Sequence, residues 1–457
     1  MPATIVTIET PSLGDRSYLA HDGTVAFVVD PQRDIDRMLD AATAAGVRIT
    51  HVFETHVHND YVTGGYALAR QAGAQYFVNA EDEVTFERTP IRDGEVVEVS
   101  PELRVRAMLT PGHTFTHLSY VLEGDEPVVF SGGSLLYGST GRPDLLGEAH
   151  TDALAHHQYH SAQKLATQLA AETKLMPTHG FGSFCSVTPG GGQATASTIG
   201  QERAGNPALS TSEEEYVANV LAGLDAYPAY YVRMAPENAA GPSAADISEP
   251  EHADKEQLRQ RLEAGEWLVD LRNRTAFAAG HVSGSFNFGL DGQFVTYLAW
   301  LIPAGTPITL LGRTAEQVAE AQRDLARVGI DRPAAAATGS PEDWTDSPLA
   351  TLQRARFADL AQVLHHRQVT VLDVRRDGEW NQGHIADALH IPLHELVQRM
   401  DEVPAGEVWV HCASGYRASI ASSLLAAAGH RVVSIDDSFE QSAGDAGLQI
   451  QPETASV

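Results

Sequence analysis

The residue in this sequence best placed for covalent chemistry is Cys412. It follows the apolar segment EVWVH and opens the loop Cys-Ala-Ser-Gly-Tyr-Arg, which precedes an alanine-rich helix. A tight loop between a strand and a helix turns its backbone N–H groups and the helix N-terminus toward one point, where negative charge is stabilised. The pattern therefore predicts a nucleophilic thiolate at Cys412. The residues of the predicted anion-cradling loop are Ala413, Ser414, Gly415 and Tyr416.

Two neighbours of Cys412 favour chemistry over packing. Gly415 gives the backbone the freedom that a tight curl needs. Arg417 offers a planar cation for an oxyanion such as sulfite, thiosulfate or phosphate. The alternative is a buried cysteine that packs as a small apolar side chain at the end of a strand. We interpret Cys412 and Arg417 as catalytic residues.

A second set of candidate residues is a series of histidines in three loops, each after an apolar strand. The first loop carries the pattern His56-x-His58-x-Asp60, and the other two carry His113 and His179, each beside a glycine. Any one of these histidines alone would be interpreted as structural. Imidazoles and a carboxylate brought together at strand ends are typical metal ligands. The three loops together therefore predict a metal site.

The elements that must position these residues are short strands alternating with loops and helices. A chain of 457 residues is too long for one hydrophobic core, so we expect two to four domains. Hydrophobic content of 43% with 20% charged residues is typical of globular proteins. The formal net charge of −29 argues against nucleic acid and anionic membrane surfaces as partners, because both bind proteins through positively charged surfaces.

Other features of the sequence bear on the compartment. The N-terminus lacks the basic and apolar segments of a signal peptide, and no apolar run approaches the ~20 residues needed to span a bilayer. The chain has two cysteines, Cys185 and Cys412, which lie far apart in the sequence. They form no disulfide framework, so a reducing, cytoplasmic location fits. We expect Cys185 to pack near the metal site.

An internal repeat organises the second half of the chain. The segment LVDLRNRTAFAAGHVSGSFNF, starting at Leu268, matches VLDVRRDGEWNQGHIADALHI, starting at Val371. Each copy continues as strand, loop and helix, which predicts a small α/β domain with a parallel sheet. The copies differ at the decisive position, since the second has Cys412 where the first has Gly312-Arg313.

The loop CASGYR and the upstream LDVRRDGEWNQGHIADALHIPL resemble the rhodanese (sulfurtransferase) family. The earlier copy resembles a rhodanese domain without its nucleophile. The resemblance implies that Cys412 carries a persulfide and that Arg417 helps bind the anionic donor or acceptor. Related phosphatases have a loop that is one residue longer, so the loop length here favours sulfur over phosphate.

The histidine loops resemble the metallo-β-lactamase superfamily, and within it the persulfide dioxygenases and glyoxalase-II-type thioesterases. The stretches FSGGSLLYGSTGRPDLLG and PTHGFGSFCS are similar to fusions of a persulfide dioxygenase with rhodanese domains. The implied fold is α/β and multi-domain, with an αββα sandwich followed by two rhodanese-like domains with parallel sheets. We predict the sandwich over 1–235, a linker over 236–254, the cysteine-less rhodanese-like domain over 255–347 and the Cys412 domain over 352–457.

This chain departs from those relatives at two positions. It has Tyr61 where a dinuclear hydrolase has histidine, and Gly133 where the family has an aspartate ligand. The implied metal ligands are therefore His56, His58 and His113, with Asp60 and His179 as a second shell or second site. The substrate pocket implied by the resemblance contains Tyr61, Arg142 and Asp144.

The resulting hypothesis is a persulfide dioxygenase–sulfurtransferase. It would oxidise a low-molecular-weight thiol persulfide to sulfite with O2, and Cys412 would link sulfite to thiosulfate. We expect one Fe(II) per chain, with Zn as the alternative, and a homo-oligomer. Two alternatives stay open, namely a mononuclear thioesterase fused to a sulfurtransferase and a plain sulfurtransferase with a silent metallo-domain.

Overall fold

The computed structural model describes residues 3–187 and 194–452, so the predicted domain ends at 1 and 457 lie outside the described residues. The chain divides into two compact units. The first comprises Met1–Asp246 with Ala326–Gly329, and the second comprises Ile247–Leu325 with Ile330–Val457. No helix among the described residues is long and apolar enough to cross a bilayer.

The first unit contains two six-stranded sheets. The strands of the first sheet, in spatial order, are Thr4–Thr10, Asp15–His21, Val25–Val29, Arg48–Phe53, Gln75–Asn79 and Thr89–Ile91. Those of the second sheet are Ser197–Thr198, Lys174–Pro177, Val128–Gly132, Leu118–Glu123, Leu103–Leu109 and Val96–Ser100.

Alternation of side chains along the strands builds the layers of this unit. Phe27 belongs to a core cluster shared with Phe130 of the second sheet, and their rings meet edge to face with centroids 5.8 Å apart. Val28, the next residue, belongs instead to a cluster with Met38 and Leu68 of two helices. The predicted αββα sandwich is therefore confirmed. The helices of this unit are Asp36–Ala45, Gly65–Ala72, Glu148–Gln168, Ile199–Gly205, Pro207–Ser210, Glu213–Gly223 and Tyr231–Ala240.

The second unit contains two parallel sheets, one for each copy of the repeat. The first copy has strands Phe286–Asn287, Trp267–Asp270, Ile308–Gly312 and Ala335–Thr338 in spatial order, with helices Lys255–Glu263, Arg274–Ala279, Phe294–Leu301, Ala315–Arg327 and Pro341–Trp344. All its strand pairs are parallel, as the alternation of strands and helices predicts.

The second copy has a five-stranded parallel sheet. Its strands in spatial order are Gln353–Ala355, Arg431–Ile435, Glu407–His411, Thr370–Asp373 and Leu389–His390, and its α-helices are Phe357–His366, Asp377–Gln382 and Tyr416–Ala427. Short helical turns lie at Leu393–Glu395, Met400–Glu402 and Phe439–Ala443, and His384–Ile385 pairs with Ile450–Gln451 in an antiparallel ladder.

Residues shared by the two copies of the repeat have a structural role. Arg272 binds Asp270 through its guanidinium, with Nε 2.9 Å from Oδ1, and donates to the Gly280 carbonyl at 2.8 Å. Arg375 makes the same pair of contacts in the second copy, with Asp373 at 3.0 Å and the Gly383 carbonyl at 2.8 Å. The repeated motif therefore holds the loop after the strand Trp267–Asp270 in the first copy and after Thr370–Asp373 in the second. Both copies of the repeat therefore keep these arginine contacts, although the first copy has no cysteine nucleophile.

Candidate functional site

The three histidine loops of the first unit bring their rings together. His56 and His58 follow the strand Arg48–Phe53, and their ring centroids lie 4.1 Å apart. The His113 ring lies 4.9 Å from His56 and 5.3 Å from His179. All four residues are buried, with at most 1% of the residue exposed. Loops that are distant in the sequence thus meet at one enclosed cluster of imidazoles.

In each imidazole of this cluster one nitrogen is held by the protein. His56 Nδ1 lies 2.9 Å from Thr55 Oγ1, His113 Nδ1 lies 2.8 Å from the Arg142 carbonyl, and His179 Nδ1 lies 2.9 Å from an Asp15 carboxylate oxygen. His58 is held through Nε2, which lies 3.0 Å from Tyr61 Oη, 3.2 Å from Glu54 and 3.3 Å from Asp30.

The other nitrogen of each imidazole remains for a ligand. His58 Nδ1 and His113 Nε2 are buried without a hydrogen-bond partner, and the Nε2 atoms of His56 and His179 lie 3.5 Å apart. A buried polar atom left without a partner is costly unless a ligand or ion satisfies it. Metal-binding histidines have this arrangement, with one nitrogen fixed by an outer partner and the other facing the metal. The residues present therefore fit a bound transition metal.

The grouping of these side chains differs from the predicted ligand set. Among the described residues, candidate ligand atoms of His56, His58 and His179 lie within 4.8 Å of one another, and those of His113, His179 and Cys185 form another such group. A third group contains Asp15, Asp60 and His179. His179, predicted for a second shell or second site, thus takes part in three groups. The set His56, His58 and His113 stays a prediction.

The electrostatics of the cluster keep two of these imidazoles neutral. Burial and the neighbouring His179 lower the pKa of His113 to about 3, and burial with the adjacent histidines holds the pKa of His56 well below its ordinary value. Burial also opposes charge on His58, yet Asp30 and Glu54 raise the pKa of His58 to about 9. Neutral imidazole is the form that binds metal, so His56 and His113 are ready to do so at neutral pH.

The sequence reasoning missed the buried carboxylates that support the cluster. Asp30 accepts hydrogen bonds from Thr55 N at 2.7 Å and Thr55 Oγ1 at 2.7 Å. Asp15 holds His179 across 164 positions of sequence. The signal in the sequence was the position of Asp30 directly after the apolar strand Val25–Val29. The structure adds that Asp30 has a φ of 49°, which few non-glycine residues adopt.

A further histidine, His117, was also missed, and both of its ring nitrogens are occupied. His117 Nδ1 lies 2.9 Å from Thr110 Oγ1, and His117 Nε2 accepts a hydrogen bond from the Gly133 N–H at 3.0 Å. With no ring nitrogen left over, His117 supports the fold around the cluster.

Gly133 leaves no space for the aspartate ligand that the sequence resemblance implies at this position. A Cβ atom on Gly133 would lie 2.4 Å from Cδ2 of His113, far closer than nonbonded carbons approach. The His113 ring packs directly over the glycine. Any side chain at position 133 would therefore have to displace His113.

The three predicted pocket residues lie around the His cluster in supporting positions. Tyr61 is fully buried and stacks on His58 with ring centroids 4.3 Å apart. Arg142 forms a two-point ion pair with Asp144, at 2.6 and 2.7 Å, while its carbonyl lies against His113. Tyr61 and Arg142 therefore each contact a candidate ligand, whereas Asp144 holds Arg142, and their roles toward substrate stay predictions.

In the second unit, Cys412 lies between the strand Glu407–His411 and the helix Tyr416–Ala427. Gly415 has a φ of 97°, in the left-handed region that favours glycine, and its N–H donates to Cys412 Sγ at 3.1 Å. The Ala413 carbonyl accepts from Phe439 N at 2.9 Å, which fixes the loop from outside, and Ser414 is exposed at its tip. The loop thus has the curl that the sequence predicts, with a backbone N–H aimed at the sulfur.

Arg417 is held by a partner that the sequence reasoning missed. Its Nη1 and Nη2 atoms lie 2.5 and 2.6 Å from the two carboxylate oxygens of Glu379. Burial disfavours ionised Glu379, but Arg417 lowers the pKa of Glu379 to about 2. An incoming anion therefore meets a guanidinium that is already partly neutralised, and the anion-binding role of Arg417 stays a prediction.

The cysteine-less copy contacts the Cys412 loop directly. Tyr416 Oη donates to the Gly289 carbonyl at 2.8 Å, and Arg274 Nε binds Asp436 at 2.7 Å beside Gly415. The first copy therefore helps to shape the environment of the nucleophile although it has no cysteine itself.

Comparison with known families gives the same order of domains. Residues 15–180 match the metallo-beta-lactamase superfamily, and residues 254–347 and 357–444 match the rhodanese-like domain family. A crystal structure of a metallo-beta-lactamase from Staphylococcus aureus subsp. aureus COL has a TM-score of 0.64, covering 74% of this chain and 98% of that chain at 24% identity. That likeness concerns the fold.

Several curated relatives each match part of the chain. The human mitochondrial persulfide dioxygenase ETHE1 is 29% identical over 217 residues, which is 45% of this chain and 72% of that protein. The hydroxyacylglutathione hydrolase of Acidiphilium cryptum is 31% identical over 175 residues, which is 37% of this chain and 67% of that protein. A hydroxyacylglutathione hydrolase-like protein of Mus musculus is 31% identical over 148 residues, 32% of this chain, and the match spans 50% of its length.

Proposed function

This chain joins a domain of the metallo-β-lactamase superfamily to two rhodanese-like domains, and on that premise we propose that it is a persulfide dioxygenase coupled to a sulfurtransferase. The observation that carries the proposal is the buried imidazole cluster, in which each ring has one nitrogen held and one nitrogen left for a metal. The similarity to human persulfide dioxygenase supports it.

The first reaction proposed is the oxidation of a low-molecular-weight persulfide. One persulfide, one O2 and one water give one thiol, one sulfite and two protons, so that the terminal sulfur is oxidised and O2 is reduced. A bound Fe(II), or Zn(II) if the site is hydrolytic, would supply the centre at which substrate sulfur is activated. The residues that would hold it are His56, His58, His113 and His179.

The protein around this centre keeps the imidazoles in place and keeps water out. Asp15 and the Arg142 carbonyl restrain His179 and His113 through the nitrogen that faces away from the cluster. Burial of the cluster removes bulk water, which strengthens every electrostatic interaction inside. The geometry thus suits a reactive intermediate that water would otherwise intercept.

The second reaction proposed moves a sulfane sulfur through Cys412. A persulfide on Cys412 passes its outer sulfur to sulfite, the bond between the two sulfur atoms of Cys412 breaks, and a new bond to sulfite gives thiosulfate with the thiolate as leaving group. The Gly415 N–H at 3.1 Å from Sγ stabilises charge on that thiolate. The Cys412 persulfide forms when the Cys412 thiolate attacks the outer sulfur of a second low-molecular-weight persulfide, whose sulfur–sulfur bond breaks and which leaves as the thiol. With that donor, atoms and electrons balance in both half-reactions.

Similarity to hydroxyacylglutathione hydrolases supports a second candidate function, hydrolysis of a thioester at the same cluster. Hydrolysis needs a metal-bound hydroxide but no O2. Measuring O2 uptake with a persulfide, thioester cleavage and thiosulfate formation in the same preparation distinguishes the two candidates. Uptake of O2 supports the dioxygenase, thioester cleavage without uptake supports the hydrolase, and transfer alone indicates a silent metallo-domain.

The two proposed reactions are separable by one substitution. We expect Cys412→Ser to abolish sulfur transfer to sulfite while leaving the initial rate of persulfide-dependent O2 uptake unchanged, because the serine hydroxyl is a far poorer nucleophile than a thiolate. Cys185→Ser is the matched change at the other cysteine of the chain and should leave transfer intact. Transfer that persists in Cys412→Ser would contradict the role of Cys412.

A further inference from the structure

Cys185 lies among the candidate metal ligands, six positions after His179. Its side chain is fully buried, and its Sγ lies within 4.8 Å of a ring nitrogen of His113 and of one of His179. The nearby Tyr231 hydroxyl is 3.9 Å from Sγ, a long contact even for sulfur. The sulfur therefore lies where two imidazoles converge.

The imidazoles beside Cys185 point to a ligand independently of the cysteine. His113 Nε2 is buried without a hydrogen-bond partner, while His113 Nδ1 is held by the Arg142 carbonyl. The same segment is tied to Cys185, whose carbonyl accepts from Arg142 N at 2.8 Å. One stretch of backbone thus fixes both the imidazole and the residue that carries the thiol.

A divalent cation bound to neutral imidazoles alone keeps its whole charge in a buried site, so an anionic ligand is favoured. Position 133 cannot supply one, since even a Cβ there would meet His113 at 2.4 Å. The Asp60 carboxylate lies 3.2 Å from His179 Nδ1, and both of its oxygens are buried without a hydrogen-bond partner, so Asp60 is an anionic candidate on the Nδ1 side of His179. Among the described residues, Cys185 is the anionic candidate that groups with His113.

We infer that Cys185 is a thiolate ligand of the metal centre, together with His113 and His179. Two imidazoles and one thiolate form a borderline-soft set that suits Fe(II), Zn(II) or Co(II). When the metal binds, the S–H bond of Cys185 breaks, its proton leaves to solvent and a sulfur–metal bond forms, with no change in oxidation state. The inference rests on the metal centre of the proposed function and adds the identity of its anionic ligand.

The two cysteines of the chain make a direct test possible. In full-length Cys412→Ser, Cys185 is the only thiol, so cobalt added to the metal-free protein reports on Cys185 alone. We expect a near-ultraviolet sulfur-to-cobalt charge-transfer band that saturates at one equivalent of Co(II). The zinc-loaded protein should show a sulfur neighbour at about 2.3 Å by X-ray absorption. The double variant Cys412→Ser/Cys185→Ser should lose the band and bind cobalt at least ~10-fold more weakly.

The outcomes separate this inference from the proposed function. If cobalt binds Cys412→Ser without the charge-transfer band, or zinc binds without a sulfur neighbour, Cys185 is not a ligand. This conclusion holds even if the iron-loaded protein consumes O2. If the cobalt band and the zinc–sulfur neighbour are both seen but the iron-loaded protein consumes no O2 with persulfide, Cys185 is a metal ligand and the proposed dioxygenase activity is wrong. A failure of cobalt and zinc to bind overturns both. Because Cys185 is unaltered in the main test, the result does not depend on how well the double variant folds.

Discussion

The ion pair between Arg417 and Glu379 predicts how much Glu379 stabilises the Cys412 loop and how that stabilisation depends on pH. Both guanidinium Nη atoms contact the carboxylate, and only 12% of the Arg417 side chain and 25% of the Glu379 side chain are exposed. The pKa of Glu379 falls from its ordinary value of 4.5 to about 2. The cost of burial opposes this shift, and Arg417 together with Arg376, whose backbone N–H also donates to Glu379, produces it. Each pKa unit corresponds to about 1.4 kcal/mol, so these contacts of Glu379 contribute a net amount of up to about 3 kcal/mol, and about 2–3 kcal/mol after allowance for residual exposure.

The sign of the pH dependence follows from the lowered pKa of Glu379. A carboxyl whose pKa is lower in the folded state contributes its full stabilisation above the unfolded pKa, here 4.5, and loses it as the pH falls toward about 2. We therefore expect Glu379→Gln to lower the free energy of unfolding around the Cys412 loop by about 2–3 kcal/mol at pH 7. At about pH 3 the difference between wild type and variant should be roughly half as large.

Hydrogen exchange of the helix Tyr416–Ala427 measures this effect, because it reports on one region of a multi-domain chain. Glu402→Gln is the matched control. Glu402 also forms a two-point pair with an arginine, Arg399, but 46% of its side chain is exposed, so solvent screens the pair and we expect a much smaller change. Equal protection of this helix in the two variants at pH 7, or a larger effect of Glu379→Gln at pH 3, would refute the argument.

Two further predictions concern the imidazole cluster. Asp15→Asn should weaken zinc binding by ~10–100-fold, because Asp15 restrains His179 through Nδ1; unchanged affinity in a chelator competition would contradict this. Gly133→Ala should displace the His113 ring, weakening zinc binding and costing ~1–3 kcal/mol of stability. Gly205→Ala is the control, because its Cβ would meet no atom within 4 Å, and it should change neither zinc binding nor stability. If Gly133→Ala also changed neither, position 133 would have room for a side chain.

Much of the fold follows from patterns in the sequence. The repeat and its strand–loop–helix order predicted the parallel sheets, and glycine and arginine around Cys412 predicted the curled loop that the structure contains. These features are local, so the residues that cause them are neighbours in the chain. The same holds for His56 and His58, which one short motif places together.

What the sequence did not reveal depends on contacts between distant segments. Asp15 reaches His179 and Glu379 reaches Arg417 only after the sheets have formed, and neither carboxylate lies in a motif with its partner. The position of Cys185 within 4.8 Å of imidazole nitrogens likewise depends on how the His113 and His179 loops converge. Tertiary packing therefore determined which groups lie beside the predicted ones.

Consumption of O2 measures the reaction proposed at the imidazole cluster most directly. Anaerobically purified, iron-loaded Cys412→Ser should consume one O2 and release one sulfite for each glutathione persulfide added. Wild type should also consume O2, with part of the persulfide sulfur recovered as thiosulfate because Cys412 transfers it to sulfite. His113→Ala should consume none, because one of the imidazoles with a free nitrogen is lost. Iron-loaded wild-type protein that consumes no O2 with persulfide would contradict the central claim.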